Sequence, residues 1–252
     1  MNVYVEPVAI KSDTGSLYTK EELLQYKSII DAIDAENEGV PLNLIQHGAI
    51  LAYGNGQYDR AFRTLLFLND KYGALTVTGY ENLIICLMAL QQYEACETLA
   101  CRWLKKYDGV ATNSQRYNVR WCCAYSCLST NDQFAVILMT EALDYSSGKG
   151  QQALLHYYMG TCCSRLGNAQ EYERHALKAV LLYMEDKGVT QQDIQASAVH
   201  DEKLGEYIMS YAMSLPRDTY DDELRIKFHF SLSAKCGHLS AINFCKKWHI
   251  EY

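Results

Sequence analysis

Helix-breaking residues are scarce in this sequence, whose 252 residues include only 3 prolines and 15 glycines. Because a β-sandwich or barrel needs turn residues about every ten positions, this scarcity favours helices. The sequence also lacks the run of about 18 apolar residues that a membrane span requires. Its first residues, MNVYVEPVAIKSD, lack the basic start and long apolar run of a signal peptide. We therefore expect a cytoplasmic protein with no membrane partner.

Basic side chains are fewer than acidic ones: the chain has 23 Lys and Arg and 30 Asp and Glu, which gives a formal net charge of -7. Proteins that bind nucleic acid draw much of their affinity from cations placed on phosphates, so no nucleic-acid partner is expected. Hydrophobic residues make up 49% of the chain, which excludes intrinsic disorder over most of its length.

Complete catalytic motifs are also missing. The stretch Gly148-Lys149-Gly150 is similar to part of a phosphate-binding loop, but Leu143 stands where the loop's first glycine belongs and no Ser or Thr follows the lysine. Neither H-E-x-x-H nor G-x-S-x-G occurs. The sequence therefore predicts a protein that is not an enzyme, with no catalytic residues and no cofactor.

Cysteine is plentiful, with ten residues that lie within apolar helical runs. Disulfide frameworks are typical of short secreted scaffolds, and a zinc site favours C-x-x-C pairs, of which the chain has none. We expect buried free thiols in a reducing cytosol and no metal. The alternative is a metal or thiol site built from His156, Cys162 and Cys163, with His175 from the neighbouring helix.

A helical pattern recurs four times along the chain. Apolar residues at offsets of zero, four and seven lie on one face of a helix, and four such triplets follow one another at intervals of about 35 to 39 residues. The triplets are Ala61, Leu65 and Leu68; Cys96, Ala100 and Trp103; Ala135, Met139 and Ala142; and Tyr172, Ala176 and Ala179.

A further apolar helix and a short polar turn precede each triplet. These first helices are predicted at residues 42–53, 80–90, 117–128 and 153–166. An interval of this length holds two helices and two turns, and the short turns require the paired helices to be antiparallel. The sequence thus predicts four helix hairpins within residues 41–188.

The hairpins resemble tetratricopeptide repeats. The best match is Tyr157-x-x-Gly160-x-x-Cys163-x-x-Leu166-Gly167 followed by Tyr172, Ala176 and Ala179. The next is Gly56-Gln57-Tyr58-Asp59-Arg60-Ala61, whereas Ile84 and Cys123 replace the first-helix glycine in the middle repeats and no proline ends any repeat. The resemblance implies an all-α fold, a right-handed α-solenoid of antiparallel helix hairpins.

The flanks of the repeats are predicted from caps and breakers. Residues 1–18 are expected to be irregular, and residues 19–40 to form an N-terminal capping helix that begins with a capping box of Thr19 and Glu22. In the C-terminal region 189–252, Thr190 is expected to cap a helix that runs to Leu215, and Asp221 begins another. Residues 233–241 resemble the turn of a Sel1-like repeat, and an ordinary capping hairpin is the alternative.

In tetratricopeptide stacks the first helix of each pair faces a concave groove, so the resemblance implies groove residues in this chain. The groove positions that the resemblance implies are Asn43, Gln46, Tyr53, Glu81, Asn82, Tyr117, Arg120, Tyr157, Ser164 and Arg165. Aromatic and polar side chains with two arginines suit a peptide better than a small metabolite. Only Asn82 agrees with the family's clamp for chaperone tails, so that ligand is not expected.

The resemblance implies a non-enzymatic scaffold or adaptor that binds a protein or peptide segment in its groove. A cytosolic chaperone of the secretion type, which holds a client segment, is the alternative, and self-association is a third reading. The N-terminal segment with Tyr4, Val5, Val8 and Ile10 is a candidate occupant of the groove in cis.

Overall fold

The computed structural model describes residues 15–197 and 199–252, and within these ranges the chain is all-helical without strands. The predicted all-α class is therefore confirmed. The described helices are α1 (Lys20–Gln25), α2 (Lys27–Glu36), α3 (Leu42–Gly54), α4 (Tyr58–Tyr72), α5 (Val77–Ala89), α6 (Tyr93–Tyr107), α7 (Asn113–Ser126), α8 (Asp132–Leu143), α9 (Lys149–Arg165), α10 (Ala169–Lys187), α11 (Gln191–Gln195), α12 (Glu202–Ser214), α13 (Tyr220–Lys235) and α14 (Leu239–Lys247).

The described residues divide into two compact units, unit 1 up to Cys127 and unit 2 from Leu128 onward. In unit 1, α4 packs on α2, α3 and α5, and both α5 and α6 pack on α7. In unit 2, α9 packs on α8 and α10, α10 packs on α12, and α13 packs on α12 and α14. Within each unit the helices thus pack mainly against their neighbours in sequence, as a helical repeat requires.

The triplets at offsets zero, four and seven form the buried face of the second helices. Every triplet residue of α4, α6 and α8 is almost completely inaccessible to solvent, and in α10 Ala176 and Ala179 are buried while Tyr172 is half-buried. Burying apolar surface stabilises the fold by about 25 cal/mol per Å², so these positions hold each second helix in place.

The first helices also lie where the pattern predicts them. α3, α5, α7 and α9 each overlap the predicted stretch, with shifts of up to four residues at their starts. Gly160 of the best repeat match lies against α10, because a Cβ at this position of α9 would lie 3.4 Å from the Tyr172 ring and 3.5 Å from the Cβ of His175. These are ordinary contact distances, so the packing of α9 on α10 leaves room for a Cβ at this position.

The capping box of Thr19 and Glu22 is confirmed, and it opens α1. The N-terminal region nevertheless contains two helices, since α1 ends at Gln25 and α2 begins at Lys27. Tyr26 lies between them, with its ring edge-on to Tyr18 and Phe62.

The single helix predicted from Thr190 to Leu215 is wrong. Thr190 does form a capping box with Asp193, but α11 ends at Gln195. A second cap interrupts the helix, because the carboxylate of Asp201 accepts the N–H of Leu204 and begins α12 there. An Asp at an N-cap stabilises a new helix start by about 1 kcal/mol, which the apolar pattern alone did not reveal.

The predicted turn near residue 237 is present between α13 and α14, where Gly237 has a φ of +91°. Among residues 15–197 and 199–252, no helix combines the length and the apolar character needed to cross a membrane.

Candidate functional site

The α9–α12 groove is a surface depression of unit 2 lined by α9, α10 and α12. Its first part has a volume of about 360 Å³ and is lined by three predicted groove residues, Tyr157, Ser164 and Arg165. These residues share one face of α9 because they are seven and eight positions apart. The other lining residues are Thr161, Tyr172, Glu206, Met209, Ser210, Met213 and His238.

The second part of the α9–α12 groove has a volume of about 470 Å³ and shares Ser164, Tyr172 and Met213 with the first. It continues past the end of α12 to Leu215 and Pro216. Because the two parts share lining residues, the groove is elongated and is suited to a ligand longer than a single side chain.

Two methionines on α12 give the groove its apolar wall. Met209 and Met213 are one helical turn apart and so lie on the same face, and Met213 is 46% exposed. Methionine is flexible and polarisable, and it adapts to partners of different shape. This wall therefore presents apolar surface to solvent that packing within the protein does not bury.

The charges of the α9–α12 groove are predominantly negative. The hydroxyl of Tyr157 donates a hydrogen bond of 2.8 Å to the Glu206 carboxylate, and Glu173 lines the second part. Arg165 is matched by the carboxylate of Asp132, with Nη2–Oδ1 and Nε–Oδ2 distances of 2.5 and 2.7 Å. The Arg165 guanidinium lowers the pKa of Asp132 to about 2.

One buried polar atom at the groove lacks a partner. The Nδ1 atom of His238 is inaccessible to solvent and forms no hydrogen bond within the described part of the chain. Buried polar atoms are rarely left unpaired in native proteins, but an atom that solvent does not reach is closed to a ligand in the open groove as well.

The groove residues predicted in unit 1 lie on α3, α5 and α7, and several of them are buried. Arg120 is 6% exposed and forms a bidentate ion pair with Asp108, at 2.7 and 2.9 Å. Glu81 accepts a 2.8 Å hydrogen bond from Asn118 on the facing helix, and Tyr117 is buried. These three side chains hold α7 in unit 1 and leave little surface for a partner.

The remaining predicted positions of unit 1 are more accessible. Asn43 is exposed, and Gln46, Tyr53 and Asn82 are half-buried. The ring of Tyr53 packs edge-on to that of Tyr58, with 6.0 Å between the ring centroids. The N-terminal segment proposed as an occupant in cis, residues 4–10, lies outside the described residues.

The structure brings three of the four residues of the alternative cysteine and histidine site into one cavity. His156, Cys163 and His175 line a second cavity of unit 2, the α8–α10 cavity, with a volume of about 640 Å³. Cys162 instead lies beside Arg165, at 3.7 Å from its Nη2 atom. Among the residues that the structure describes, no group of three or more His, Cys, Asp or Glu is arranged to hold a metal ion.

Burial keeps both the thiols and the imidazoles of this cluster in their neutral forms. It raises the pKa of Cys162 to about 12, also raises that of Cys163, and lowers that of His156 to about 4. A nucleophilic cysteine requires a lowered pKa, so the chemistry of this cluster does not favour a thiol nucleophile.

The polar groups of Gly148-Lys149-Gly150 at the start of α9 bind carboxylates of the same unit. Lys149 forms an ion pair with Glu185, and the N–H of Gly150 donates to the Asp186 carboxylate at 3.0 Å. A helix N-terminus that binds phosphate presents its N–H groups to the ligand, whereas here a carboxylate accepts one of them.

Three residues that line the α9–α12 groove, Met209, Met213 and Glu206, were not identified from the sequence. Their spacing of three and four places them on one face of α12, and that pattern is a signal which the repeat comparison did not cover. No protein-family model matches the chain, and no curated protein matches it at a significant level.

Proposed function

We propose that this protein is a non-enzymatic scaffold whose unit 2 binds a segment of a partner protein in the α9–α12 groove. The main observation behind the proposal is that Tyr157, Ser164 and Arg165 line the same elongated depression as the methionines of α12. Tyrosine and methionine are favoured at protein interfaces, because tyrosine gives large contact area at low entropic cost and methionine adapts its shape.

The charges select the kind of segment. Arg165 is neutralised by Asp132, whereas Glu206 and Glu173 contribute carboxylates to the groove. The whole chain carries a net charge of -7, so long-range attraction also favours a basic partner. We therefore propose a segment that combines apolar anchors for the methionine wall with Lys or Arg near Glu206.

We also propose that the helices of each unit are antiparallel hairpins of the tetratricopeptide kind with right-handed winding. The contact of α5 with α7, across the intervening α6, supports this, because first helices of successive repeats lie side by side in such arrays. The ten free cysteines support a reducing compartment such as the cytoplasm.

A defined peptide library tests the proposed function. Selection of random displayed peptides on the full chain should enrich sequences with apolar residues and Lys or Arg. Substitution Met213→Glu places a charge in the apolar wall and should weaken the selected peptide's binding at least about tenfold, a loss of about 1.4 kcal/mol. Titration calorimetry measures this dissociation constant.

Leu181→Glu is the matched control, since Leu181 is an exposed apolar residue of α10 that does not line the groove. Its affinity for the selected peptide should equal that of the unsubstituted protein. Equal affinity of the Met213→Glu variant, or selection of acidic peptides, would contradict the proposal.

A further inference from the structure

Two thiols of unit 1 face each other between adjacent helices. The Sγ atoms of Cys101 on α6 and Cys123 on α7 are 3.8 Å apart, and both cysteines are free. A disulfide bond is about 2.05 Å long, so the two sulfur atoms need to approach by less than about 2 Å. The helices that carry them already pack on each other.

The two thiols differ in their access to solvent. Cys101 is half-buried, whereas Cys123 is completely buried. A small dissolved oxidant therefore reaches Cys101 first, and Cys123 lies directly behind it. In a two-step thiol oxidation, an accessible sulfur is oxidised first and a neighbouring sulfur then attacks it. The accessible Cys101 and the buried Cys123 at contact distance fit these two roles.

The thiol pair also makes Cys101 the more acidic sulfur. Either sulfur of the pair can donate the hydrogen bond between them, and this bond lowers the pKa of Cys101 to about 7 and raises that of Cys123. Burial instead raises the pKa of Cys86, Cys96 and Cys162. At neutral pH Cys101 thus has a larger thiolate fraction than these buried cysteines, and the thiolate is the reactive form.

We propose that Cys101 and Cys123 are an oxidation site at which a hydroperoxide converts the two thiols to an intramolecular disulfide. The Cys101 thiolate attacks one peroxide oxygen, the O–O bond breaks, and hydroxide leaves, which forms a sulfenic acid. The sulfur of Cys123 then attacks the Cys101 sulfur, an S–S bond forms, the S–O bond breaks, and the oxygen leaves as water with the thiol proton. Overall, two thiols lose two electrons and hydrogen peroxide becomes two water molecules.

A third thiol lies next to the pair. Cys127 is one helical turn beyond Cys123 and forms a side-chain hydrogen bond with it. It is therefore the competing partner for Cys123. The proposal assigns the first oxidation to Cys101 because Cys127 is completely buried.

The experiment exposes the full chain to one equivalent of hydrogen peroxide at pH 7 and locates disulfides by tandem mass spectrometry. We expect a Cys101–Cys123 disulfide and loss of two free thiols per chain, at a rate at least about tenfold above that of an ordinary thiol with a pKa near 8.5. Cys101→Ser should abolish this disulfide. Cys123→Ala should stop the reaction at a Cys101 sulfenic acid, which dimedone traps.

Cys245→Ser is the matched control, because it removes a buried cysteine of unit 2 and should leave the reaction unchanged. If Cys123→Ala does not fold, dimedone added to the unsubstituted protein before peroxide should label Cys101 and reduce disulfide yield. The proposal is overturned if no disulfide forms, if the disulfide joins Cys123 to Cys127 or joins two chains, or if Cys101→Ser loses thiols as fast as the unsubstituted protein.

Discussion

At the scale of single residues, the buried histidine pair of unit 2 shows how one hydrogen-bond network fixes protonation. Arg174 donates to Nε2 of His175 at 2.9 Å, so this nitrogen carries a lone pair and the proton of His175 is on Nδ1. That Nδ1–H donates to Nδ1 of His156 at 2.8 Å. Both imidazoles are therefore neutral, and a further proton on either ring breaks one of these bonds.

The network makes stability depend on pH in a defined window. Burial, followed by the nearby His175, Lys178 and Arg174, lowers the pKa of His156 to about 4, and burial also lowers the pKa of His175. Because an unfolded histidine titrates near 6.5, the unfolded chain binds more protons below that pH. The free energy of unfolding should fall by about 2 to 3 kcal/mol as pH decreases from 6.5 to 4, measured by urea denaturation.

The control is the double variant His156→Gln with His175→Gln, whose stability should change less over the same window. The free energy of unfolding of this double variant should still depend on pH to some extent, since burial also lowers the pKa of His229. The paired carboxylates of Glu22 and Asp132, with pKa values of about 2, add to the slope in both proteins below about pH 5. Equal slopes for the variant and the unsubstituted protein would mean that the histidine pair is not a neutral buried pair.

At the scale of helices, two glycines within helices differ in how closely the neighbouring element approaches them. A Cβ on Gly205 of α12 would lie 2.7 Å from the Cβ of His238, 3.0 Å from the carbonyl oxygen of Ser233 and 3.2 Å from the Cβ of Cys236. A Cβ on Gly160 would meet ordinary contact distances of 3.4 Å or more. The approach of α12 to the α13–α14 turn is thus the tighter of the two.

The same substitution at the two sites should therefore have different effects. Gly205→Ala forces the turn at His238 away from α12 and should lower the free energy of unfolding by about 1 to 3 kcal/mol. Gly160→Ala should be neutral or stabilising by up to about 1 kcal/mol, because alanine favours the helix. Thermal and urea unfolding of both variants measure the difference, and equal destabilisation would contradict these packing distances.

Local pattern predicted the helices well because their buried faces repeat regularly along the chain. Ala61, Cys96 and Ala135 could be identified from spacing alone, and all three are fully buried. The break of the predicted C-terminal helix depended instead on one side-chain hydrogen bond, from the N–H of Leu204 to Asp201. Apolar spacing carries no information about such a competing cap.

Only the α9 wall of the α9–α12 groove could be predicted from the sequence. The α9 positions were recognised through the repeat match, whereas α12 lies outside it, so Met209 and Met213 were missed. In unit 1 the predicted positions Glu81 and Arg120 are buried because α5 packs on α7 as well as on α6. Which face of a first helix stays open depends on contacts distant in sequence.

At the scale of the whole molecule, partner binding and oxidation are assigned to different units. The α9–α12 groove belongs to unit 2 and the Cys101–Cys123 pair to unit 1. The two proposals rest on different residues, so peptide binding can be lost by Met213→Glu while peroxide still forms the disulfide. Failure of one proposal therefore leaves the other to be judged by its own experiment.

Site-specific photo-crosslinking in cells that make the protein tests the proposed groove most directly. A benzophenone amino acid replaces Met213 in one full-length variant and Leu181 in the other. We expect position 213, and not position 181, to crosslink a partner through a segment with apolar residues and Lys or Arg. Identical crosslinks from both positions, or none from position 213, would contradict the assignment of partner binding to the α9–α12 groove.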